Sequence, residues 1–352
     1  MFKKVLLVTL GAWVLVWGIV AGCGGGTPVN TTTTAAPTIT ITTTTFIATT
    51  TTTITTTSTV ATTTTTTTTT TSSTTITTTT SSTTTTLGWI EQAITFSGTP
   101  EPVTSTSTII TPEGTYRQYF TGPGGIWTMT SPDGLNWSIP VMTGVNDQHS
   151  TNPAVIGLHD GTFLMIYGIQ TSSPLTERLY RAISNNGINF IKQPAEAVLT
   201  GEVDNFVSVP DIIYSNSTTL RMYFVNGNTN SRIHTATSTD NGLTWIKEGQ
   251  ITLTGTYGGQ TNDPDVILLA DSSYRLFFVT PPSGTPLDSL RLRSAASTDG
   301  RNFTVESGDI IDPSGSVSSI LDPDAVPVAG TSKYLLYYGT EPAGSLHAIL
   351  SP

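Results

Sequence analysis

One short motif recurs along the chain and limits the class of fold that the chain can form. Its four copies have the pattern Ser, Asp or Asn, Gly, then Trp or Phe, and they begin at Ser131, Ser184, Ser238 and Ser297. These starting points are 53, 54 and 59 residues apart. No segment between them shows a sustained helical period, so a repeat near fifty residues predicts the blades of a β-propeller.

The rest of each repeat follows the same order of strands. An aromatic strand precedes each motif, and a fifth such strand lies near the end of the chain: Tyr116–Phe120, Phe163–Tyr167, Leu220–Phe224, Tyr274–Phe278, Tyr334–Tyr338. A strand led by a proline precedes each aromatic strand, starting at Glu101, Asn152, Val209, Asp263 and Asp322. Polar turns join the two as hairpins. The sequence therefore predicts an all-β fold of five blades.

The two ends of the repeat region predict how the ring closes. The chain stops at Leu350-Ser351-Pro352, at the start of a fifth motif. Leu87-Gly88-Trp89 matches the part of the motif that is missing there. We therefore expect the N-terminal chain to supply the outer strand of the last blade, which removes an open sheet edge.

The segment before the repeats predicts export and anchoring. Lys3 and Lys4 precede an uncharged run, which ends at Val20-Ala21-Gly22-Cys23 and resembles a bacterial lipobox. The run is shorter than the roughly 18–20 residues of a membrane span, although an uncleaved anchor is the alternative. We predict a signal peptide at 1–22, a lipidated Cys23 opening a disordered Thr-rich linker at 23–86, and the propeller at 87–352. The predicted location is the bacterial envelope, lipid-anchored and extracytoplasmic, at the cell surface.

Charge and cysteine content exclude some partners. Beyond Lys3 and Lys4 the chain has 12 basic and 24 acidic residues, a net charge of −12, which argues against nucleic acid and anionic lipid. Cys23 is the only cysteine, so no disulfide forms within the chain. The predicted partners are a carbohydrate and, through Cys23, the membrane, and we expect a monomer.

The recurring motif itself is predicted to be structural. Each copy has at most one acidic side chain, whereas a calcium loop needs several oxygen ligands that converge on one point. The Asp or Asn can instead accept hydrogen bonds from backbone N–H groups, with glycine supplying a positive φ. The turns resemble the Asp-boxes of sialidase-like propellers. The four histidines show no metal-ligand spacing, so we expect no metal and no cofactor, with an axial calcium ion left open.

Region 87–352 resembles the five-bladed propellers of arabinanases, levansucrases, invertases and mannoside phosphorylases. The resemblance lies in the Asp-Pro-Asp strand starts, the Tyr-Arg strands and the Ser-x-Asp-Gly turns. It implies a substrate funnel at the axis and glycoside cleavage by paired carboxyl groups, one of which acts as the acid.

Carried onto this chain, the resemblance implies a funnel ring of Glu101, Asn152, Val209, Asp263 and Asp322. Asp263 is predicted as base or nucleophile and Glu101 or Glu202 as acid, with Asp322 or Asp211 tuning the site. The predicted substrate-binding residues are Asp147, His149, Asn152, Asp204, Asn205, Tyr257, Gln260, Asp265 and Asp324.

Several features depart from an active furanosidase, which would have Asp, Asp and Glu at ring positions one, three and four. This chain has Glu101, Val209 and Asp263 there. One alternative is that the carboxylates only cap strands around a hydrated channel, and another is a non-catalytic glycan-binding or adhesive propeller. A structural envelope module is a third. Arg117, Arg221 and Arg275 occupy equivalent strand positions, which favours a repeated contact between blades over a sialidase-like arginine triad.

Overall fold

The computed structural model describes residues 76–77, 84–85, 88–98, 102–147, 149–202, 204–282, 289–342 and 344–352. These residues form β-strands, turns and loops, and none of them lies in a helix. Accordingly, they provide no helix with the length and apolarity needed to cross a bilayer. Residues 1–75, with the predicted signal peptide and Cys23, lie outside the described residues, as does Glu101.

The strands in chain order are β1 Ile76–Thr77, β2 Thr84–Thr85, β3 Ile90–Gln92, β4 Thr95–Phe96, β5 Thr104–Ile110, β6 Tyr116–Gly122, β7 Gly125–Ser131, β8 Asn136–Trp137, β9 Val141–Met142, β10 Ser150–Gly157, β11 Phe163–Ser172, β12 Leu175–Ser184, β13 Ile191–Lys192, β14 Val207–Tyr214, β15 Leu220–Asn226, β16 Arg232–Ser238, β17 Ile246–Gln250, β18 Thr252–Thr254, β19 Asn262–Leu268, β20 Tyr274–Thr280, β21 Arg291–Ser297, β22 Asn302–Val305, β23 Ile311–Asp312, β24 Ser319–Pro327, β25 Tyr334–Glu341 and β26 Leu346–Leu350.

Five antiparallel sheets form the blades of a propeller, as the repeat predicts. From the axis outwards, the blades are β5-β6-β7-β9, β10-β11-β12-β13, β14-β15-β16-β17, β19-β20-β21-β22 and β24-β25-β26-β3. The short strands β1 and β2 lie within residues 23–86, the predicted linker, and pair with β4 and β23 respectively. The prediction of an all-β, five-bladed propeller is confirmed.

The ring closes through the N-terminal strand, which confirms the prediction made from the split motif. β3 pairs antiparallel with β26, with Gln92 opposite Ala348 and Ile90 opposite Leu350. Trp89 takes the place of the motif's aromatic residue and packs edge-on against Tyr334, with ring centroids 5.6 Å apart. Burying this aromatic residue couples the two chain ends, because the last blade is complete only when both are in place.

Within the part of the chain that the structure describes, the hydrophobic core has five clusters, each formed by two neighbouring blades. Aromatic residues of the second strands contribute much of the buried volume, including Tyr119, Tyr223, Phe277 and Tyr337, all fully buried. Each blade therefore depends on its two neighbours for burial, as expected when alternating strand residues pack sheet against sheet.

The recurring motif is a structural turn, as predicted. In the first copy the Asp133 Oδ1 atom accepts hydrogen bonds from the N–H groups of Leu135 at 2.9 Å and Asn136 at 2.8 Å. Ser131 Oγ accepts the N–H of Gly134, whose φ is +77°. The Tyr337 hydroxyl of the neighbouring blade donates to the Gly134 carbonyl at 2.7 Å. The turn thus fastens one blade to the next.

The repeated arginines serve the same purpose. Arg117 Nη1 donates to the Asn186 carbonyl at 3.0 Å, and Arg221 Nη1 donates to the Asp299 carbonyl at 2.9 Å. Both acceptors belong to the turn motif of the following blade. The predicted contact between blades is therefore confirmed for these two arginines, which point to different blades and do not converge on one ligand.

Candidate functional site

Five equivalent residues surround the axis where the innermost strands begin. All five have a left-handed backbone although none is glycine, with φ between +46° and +52°, and they are Ser105, Asn152, Val209, Asp263 and Asp322. A β-bulge shifts the strand register at each of them. A bulge that recurs in every blade re-aims the side chain at that position, and we call these five residues the ring.

The first ring residue is Ser105, and the prediction of Glu101 for this position is wrong. The bulge of the first blade falls between Thr104 and Ser107, and Thr106 stands where the other blades have proline. The Glu101-Pro102 pair mimics the pattern of the other blades but precedes the strand. With Ser105 in the first blade and Val209 in the third, these two ring positions have no carboxyl group.

A cavity of about 250 Å³ runs along the axis below the ring. Its lining includes polar ring residues such as Ser105, Asn152 and Asp322, and apolar residues further along the innermost strands such as Ile109 and Ile156. The motif turns lie at the other end of the strands, because β7 ends at Ser131 opposite the start of β6. The ring therefore lies at the end of the innermost strands that is away from the motif turns.

Asp263 and Asp322 are adjacent ring residues whose carboxyl groups each reach the next blade. Asp263 Oδ2 accepts the backbone N–H of Asp322 at 3.2 Å, and Asp322 Oδ2 accepts that of Ser105 at 3.0 Å. Burial raises the pKa of both groups, and the charge of Asp322 raises that of Asp263 further. A protonated carboxyl beside an ionised one is the arrangement that separates acid from base roles.

Three further aspartates lie two residues after the ring and connect successive blades. Asp324 Oδ1 accepts the N–H of Thr108 at 2.9 Å, Asp211 Oδ2 that of Val266 at 2.8 Å, and Asp265 Oδ2 that of Ala325 at 3.1 Å. Burial is the main cause that raises the pKa of each. This geometry agrees with the strand-cap alternative, since each carboxyl satisfies a backbone donor of the neighbouring blade.

The pattern of these contacts continues through the first blade but not the second. Ser107 occupies the equivalent position in blade one, and its hydroxyl accepts the N–H of Val155 at 3.0 Å. Blade two has Ala154 there, which has no acceptor in its side chain. The seam between blades two and three is therefore the one at which this side-chain contact is missing.

Glu177 lies at that seam and was missed by the sequence reasoning. It is on β12, fully buried, and its Oε1 accepts the Asn152 amide at 3.0 Å while Oε2 accepts that of Gln170 at 3.3 Å. Burial raises its pKa to about 7, opposed by hydrogen bonds from Ser208, Asn152 and Gln170. No motif marks it in the sequence, where its neighbours on β12, Thr176 and Arg178, are polar.

Glu202 is exposed. Its carboxylate pairs with Lys247 Nζ at 2.9 Å, and the hydrogen bond and charge of Lys247 lower its pKa. A lowered pKa keeps the group ionised, which does not suit the predicted role of general acid. Asp204, in the same loop, is also exposed and accepts the Thr229 hydroxyl at 3.2 Å, and Asn205 beside it is exposed.

The remaining predicted binding residues lie in the loops that lead into the strands. Asp147 Oδ2 accepts the Tyr167 hydroxyl at 3.2 Å and lies 3.3 Å from Lys192 Nζ. His149 is exposed. Tyr257 packs against the core between blades three and four, and Gln260 donates to the Thr229 carbonyl at 3.2 Å. The structure does not bring these loop residues into the axial cavity.

The described residues contain no group of three or more His, Cys, Asp or Glu side chains arranged to hold a metal ion. The aspartates below the ring use oxygen atoms on backbone donors, which leaves fewer for a cation. The absence of a cofactor, with an axial calcium ion left open, stays a prediction.

Several solved structures whose described proteins act on carbohydrates have a similar fold. A thermostable family-43 glycoside hydrolase is similar with a TM-score of 0.54 and 15% identity, over 71% of this chain and 88% of that one. An endo-arabinase from Bacteroides thetaiotaomicron gives 0.53 and 12%, over 71% and 94%. An N-acetylgalactosamine deacetylase from F. plautii, solved with blood group B trisaccharide, gives 0.55 and 14%, over 68% and 80%.

At these identities the similarity establishes the fold and not the activity. The predicted resemblance to glycosidase-type five-bladed propellers is confirmed at that level. The sequence matches no protein-family model and no curated protein.

Proposed function

We propose that this protein hydrolyses glycosidic bonds of a poly- or oligosaccharide at the ring. The proposal is carried by the Asp263–Asp322 pair, two adjacent ring residues of which Asp322 lines the axial cavity, in a fold that occurs in glycoside hydrolases. Glycoside hydrolysis needs one carboxyl group that stays protonated and one that is ionised.

In the proposed mechanism Asp263 is the acid. It is 9% exposed, and both burial and the charge of Asp322 favour its protonated form. It therefore donates a proton to the glycosidic oxygen, while the ionised Asp322 stabilises the positive charge that develops on the sugar or activates water. This exchanges the role predicted from the sequence, in which Asp263 was base or nucleophile.

The ring itself offers a substitution that tests the roles without disturbing the backbone. Blade two has Asn152 at the equivalent position with φ +52°, close to the +49° of Asp263 and the +50° of Asp322. Asparagine also tolerates the left-handed conformation. Asp263→Asn and Asp322→Asn should therefore fold like the parent protein, and Asp271→Asn, at an exposed hairpin turn, serves as the matched control.

The test is to incubate the full-length chain with arabinan, inulin, levan and other soluble polysaccharides and to measure both released sugar and binding. We expect release that falls at least about a hundredfold in Asp263→Asn and in Asp322→Asn, and that is unchanged in Asp271→Asn. Release that persists in both ring variants would show that the pair is not catalytic.

A non-catalytic glycan-binding function is the second candidate, and a specific observation favours it. The ring has Ser105 and Val209 at positions one and three, and one oxygen of every axial aspartate already accepts a backbone N–H group of the next blade. Binding of a polysaccharide without any release, unaffected by Asp263→Asn, would support this second function.

We also propose that the propeller is held at the bacterial envelope through lipidated Cys23, with the Thr-rich segment as a spacer. The support is the Val20-Ala-Gly-Cys23 sequence behind two lysines and an uncharged run. Labelling cells with a fatty-acid probe tests it: the parent chain should take up the label and fractionate with membranes, whereas Cys23→Ser should do neither.

A further inference from the structure

The buried glutamate at the seam between blades two and three has no place in the proposed reaction. Glu177 is fully buried, and the polar groups recorded around its carboxyl are the amides of Asn152 and Gln170 and the hydroxyl of Ser208. None of the three is a cation. A carboxylate that is buried without a cation is costly and is retained only where its hydrogen bonds are used.

The neighbouring strand leaves room for this carboxyl. A Cβ atom added at Gly168 would lie 2.1 Å from Glu177 Oε1, so any side chain at that position would displace the glutamate. Gly168 lies on β11, opposite Leu179 of β12 on one side and Thr151 of β10 on the other. Thr151 is the residue before Asn152 in the chain. The backbone is therefore shaped to bring Glu177 up to the ring.

At the ring, Glu177 contacts one residue that lines the axial cavity. The Nδ2 group of Asn152 donates to Glu177 Oε1 at 3.0 Å and to Ser208 Oγ at 2.9 Å, so both of its N–H bonds are used. Its Oδ1 atom accepts the Thr151 hydroxyl at 3.2 Å and keeps a second acceptor site. Because both N–H groups of the Asn152 amide already donate within the protein, only its Oδ1 atom is left to bind a ligand in the cavity, as an acceptor.

We propose that Glu177 is a positioning residue that fixes the Asn152 amide, so that the ring presents a hydrogen-bond acceptor to a sugar hydroxyl group. The proposal rests on the proposed function for the sugar, but the orientation of the amide is a property of this chain alone. An acceptor held in place selects a ligand that donates, because a sugar lacking that hydroxyl would leave the acceptor unpaired.

Two substitutions at Glu177 separate positioning from simple packing. Glu177→Gln keeps an oxygen that can accept from Asn152, with Gln170 free to turn its own amide. Glu177→Met has a similar length but no acceptor for that N–H. Gln170→Met is the matched control, because it removes the partner of Oε2 and leaves the bond to Asn152 in place.

The first readout is the Asn152 side-chain amide in the full-length, nitrogen-15-labelled protein, with the signal assigned by its loss in Asn152→Asp. We expect slow hydrogen exchange in the parent chain, in Glu177→Gln and in Gln170→Met, and fast exchange in Glu177→Met. An amide that exchanges equally slowly in Glu177→Met would overturn the proposal, whatever the protein binds.

The second readout is affinity for whichever of arabinan, inulin and levan the parent chain binds, measured by calorimetry. We expect Glu177→Met to bind about tenfold more weakly or worse, and Glu177→Gln and Gln170→Met to stay within about threefold. In an Asn152→Ala background Glu177→Met should have no further effect. Equal losses in both backgrounds would show that Glu177 does not act through Asn152.

The two failures can be told apart. If the parent chain binds none of the three polysaccharides, the proposed function loses its support, and the amide exchange then decides the positioning role alone. If the chain binds one of them, but Glu177→Met changes neither exchange nor affinity, the proposed function stands and the positioning role is refuted.

Discussion

Replacing Asp324 by alanine should destabilise the propeller more than any single hydrogen bond would suggest. The Asp324 side chain is 3% exposed and connects blade five to blade one. Its carboxyl accepts the Thr108 N–H at 2.9 Å and the Thr108 hydroxyl at 2.6 Å, with the Gln118 amide at 3.5 Å. Alanine leaves the partly buried Thr108 N–H and hydroxyl groups without this acceptor, whereas the Gln118 amide still donates to the Thr108 hydroxyl oxygen at 2.9 Å.

The size of the effect follows from the donors that lose their partner. A buried donor without a partner costs about 1–3 kcal/mol, so the two short hydrogen bonds together are worth about 2–6 kcal/mol. Removing the buried carboxyl group also has a favourable effect that opposes this loss. Burial raises the pKa of Asp324, so its ionised form is costly to bury. We therefore expect Asp324→Ala to lower the free energy of unfolding by about 2–4 kcal/mol.

Two matched variants define what that number means. Asp324→Asn keeps an oxygen for the Thr108 N–H, and its amide can donate to the Thr108 hydroxyl, so we expect a loss below about 1 kcal/mol. Ser107→Ala removes a single neutral acceptor, that of Val155 N–H at the seam between blades one and two, and should cost about 1–2 kcal/mol.

Urea unfolding of the full-length chain, followed by tryptophan fluorescence, gives the three values if the midpoint shifts while the slope stays constant. The reasoning is refuted if Asp324→Ala lies within about 0.5 kcal/mol of the parent chain, or if Asp324→Asn is as damaging as Asp324→Ala. The first result would mean that no longer burying a carboxyl group offsets the lost hydrogen bonds. The second would mean that the loss of stability comes from altered packing and not from the missing acceptor.

Three further predictions concern pH, a turn and a close approach. Burial raises the pKa of Glu177 from 4.5 to about 7, so its contribution to stability is full below about pH 4.5 and is lost as the pH rises to about 7. The urea midpoint should therefore fall as the pH is raised across that window, and it should fall less in Glu177→Gln. Asp299 accepts hydrogen bonds from Asn302 and Arg301 in its turn, which lower its pKa. Asp299→Ala should therefore lower the free energy of unfolding by about 1–2 kcal/mol in the same assay, and Asp299→Asn, the form found at Asn186, by less than about 1 kcal/mol. Equal losses would contradict the structural role of the turn. Gly144→Ala would place a Cβ 2.1 Å from the Phe190 carbonyl oxygen and should lower the melting temperature by several degrees, whereas Gly157→Ala, with no atom within 4 Å, should change it little.

The fold could be predicted from the sequence because its signals are local and repeated. The Ser-x-Asp-Gly turns recur at a nearly constant spacing, and each is closed by its own side chains, as the hydrogen bonds that Asp133 accepts from the N–H groups of Leu135 and Asn136 show. The split copy of the motif at Ser351 and Trp89 predicted correctly how the propeller closes, because the N-terminal strand β3 pairs with β26 as the missing outer strand of the last blade.

The site was less predictable, because its geometry depends on backbone conformation and on contacts between distant residues. Glu101 was chosen for the first ring position from its proline neighbour, but the bulge that defines the ring falls at Ser105. A bulge has no sequence signature where Thr106 replaces the proline. Glu177 gave no motif at all, since its partner Asn152 comes from another strand.

The sequence by itself determined the class of fold, the number of blades, the closing strand and the structural role of the turns, because repetition and local hydrogen bonding are written along the chain. Only the tertiary structure decided which residue of the first blade completes the ring and how burial shifts the pKa of the axial carboxyl groups. The raised pKa values of Asp263 and Glu177 come from burial by neighbouring blades, and the aspartates below the ring find their partners one blade further on. Those effects depend on distances across the ring, which spacing along the chain does not contain.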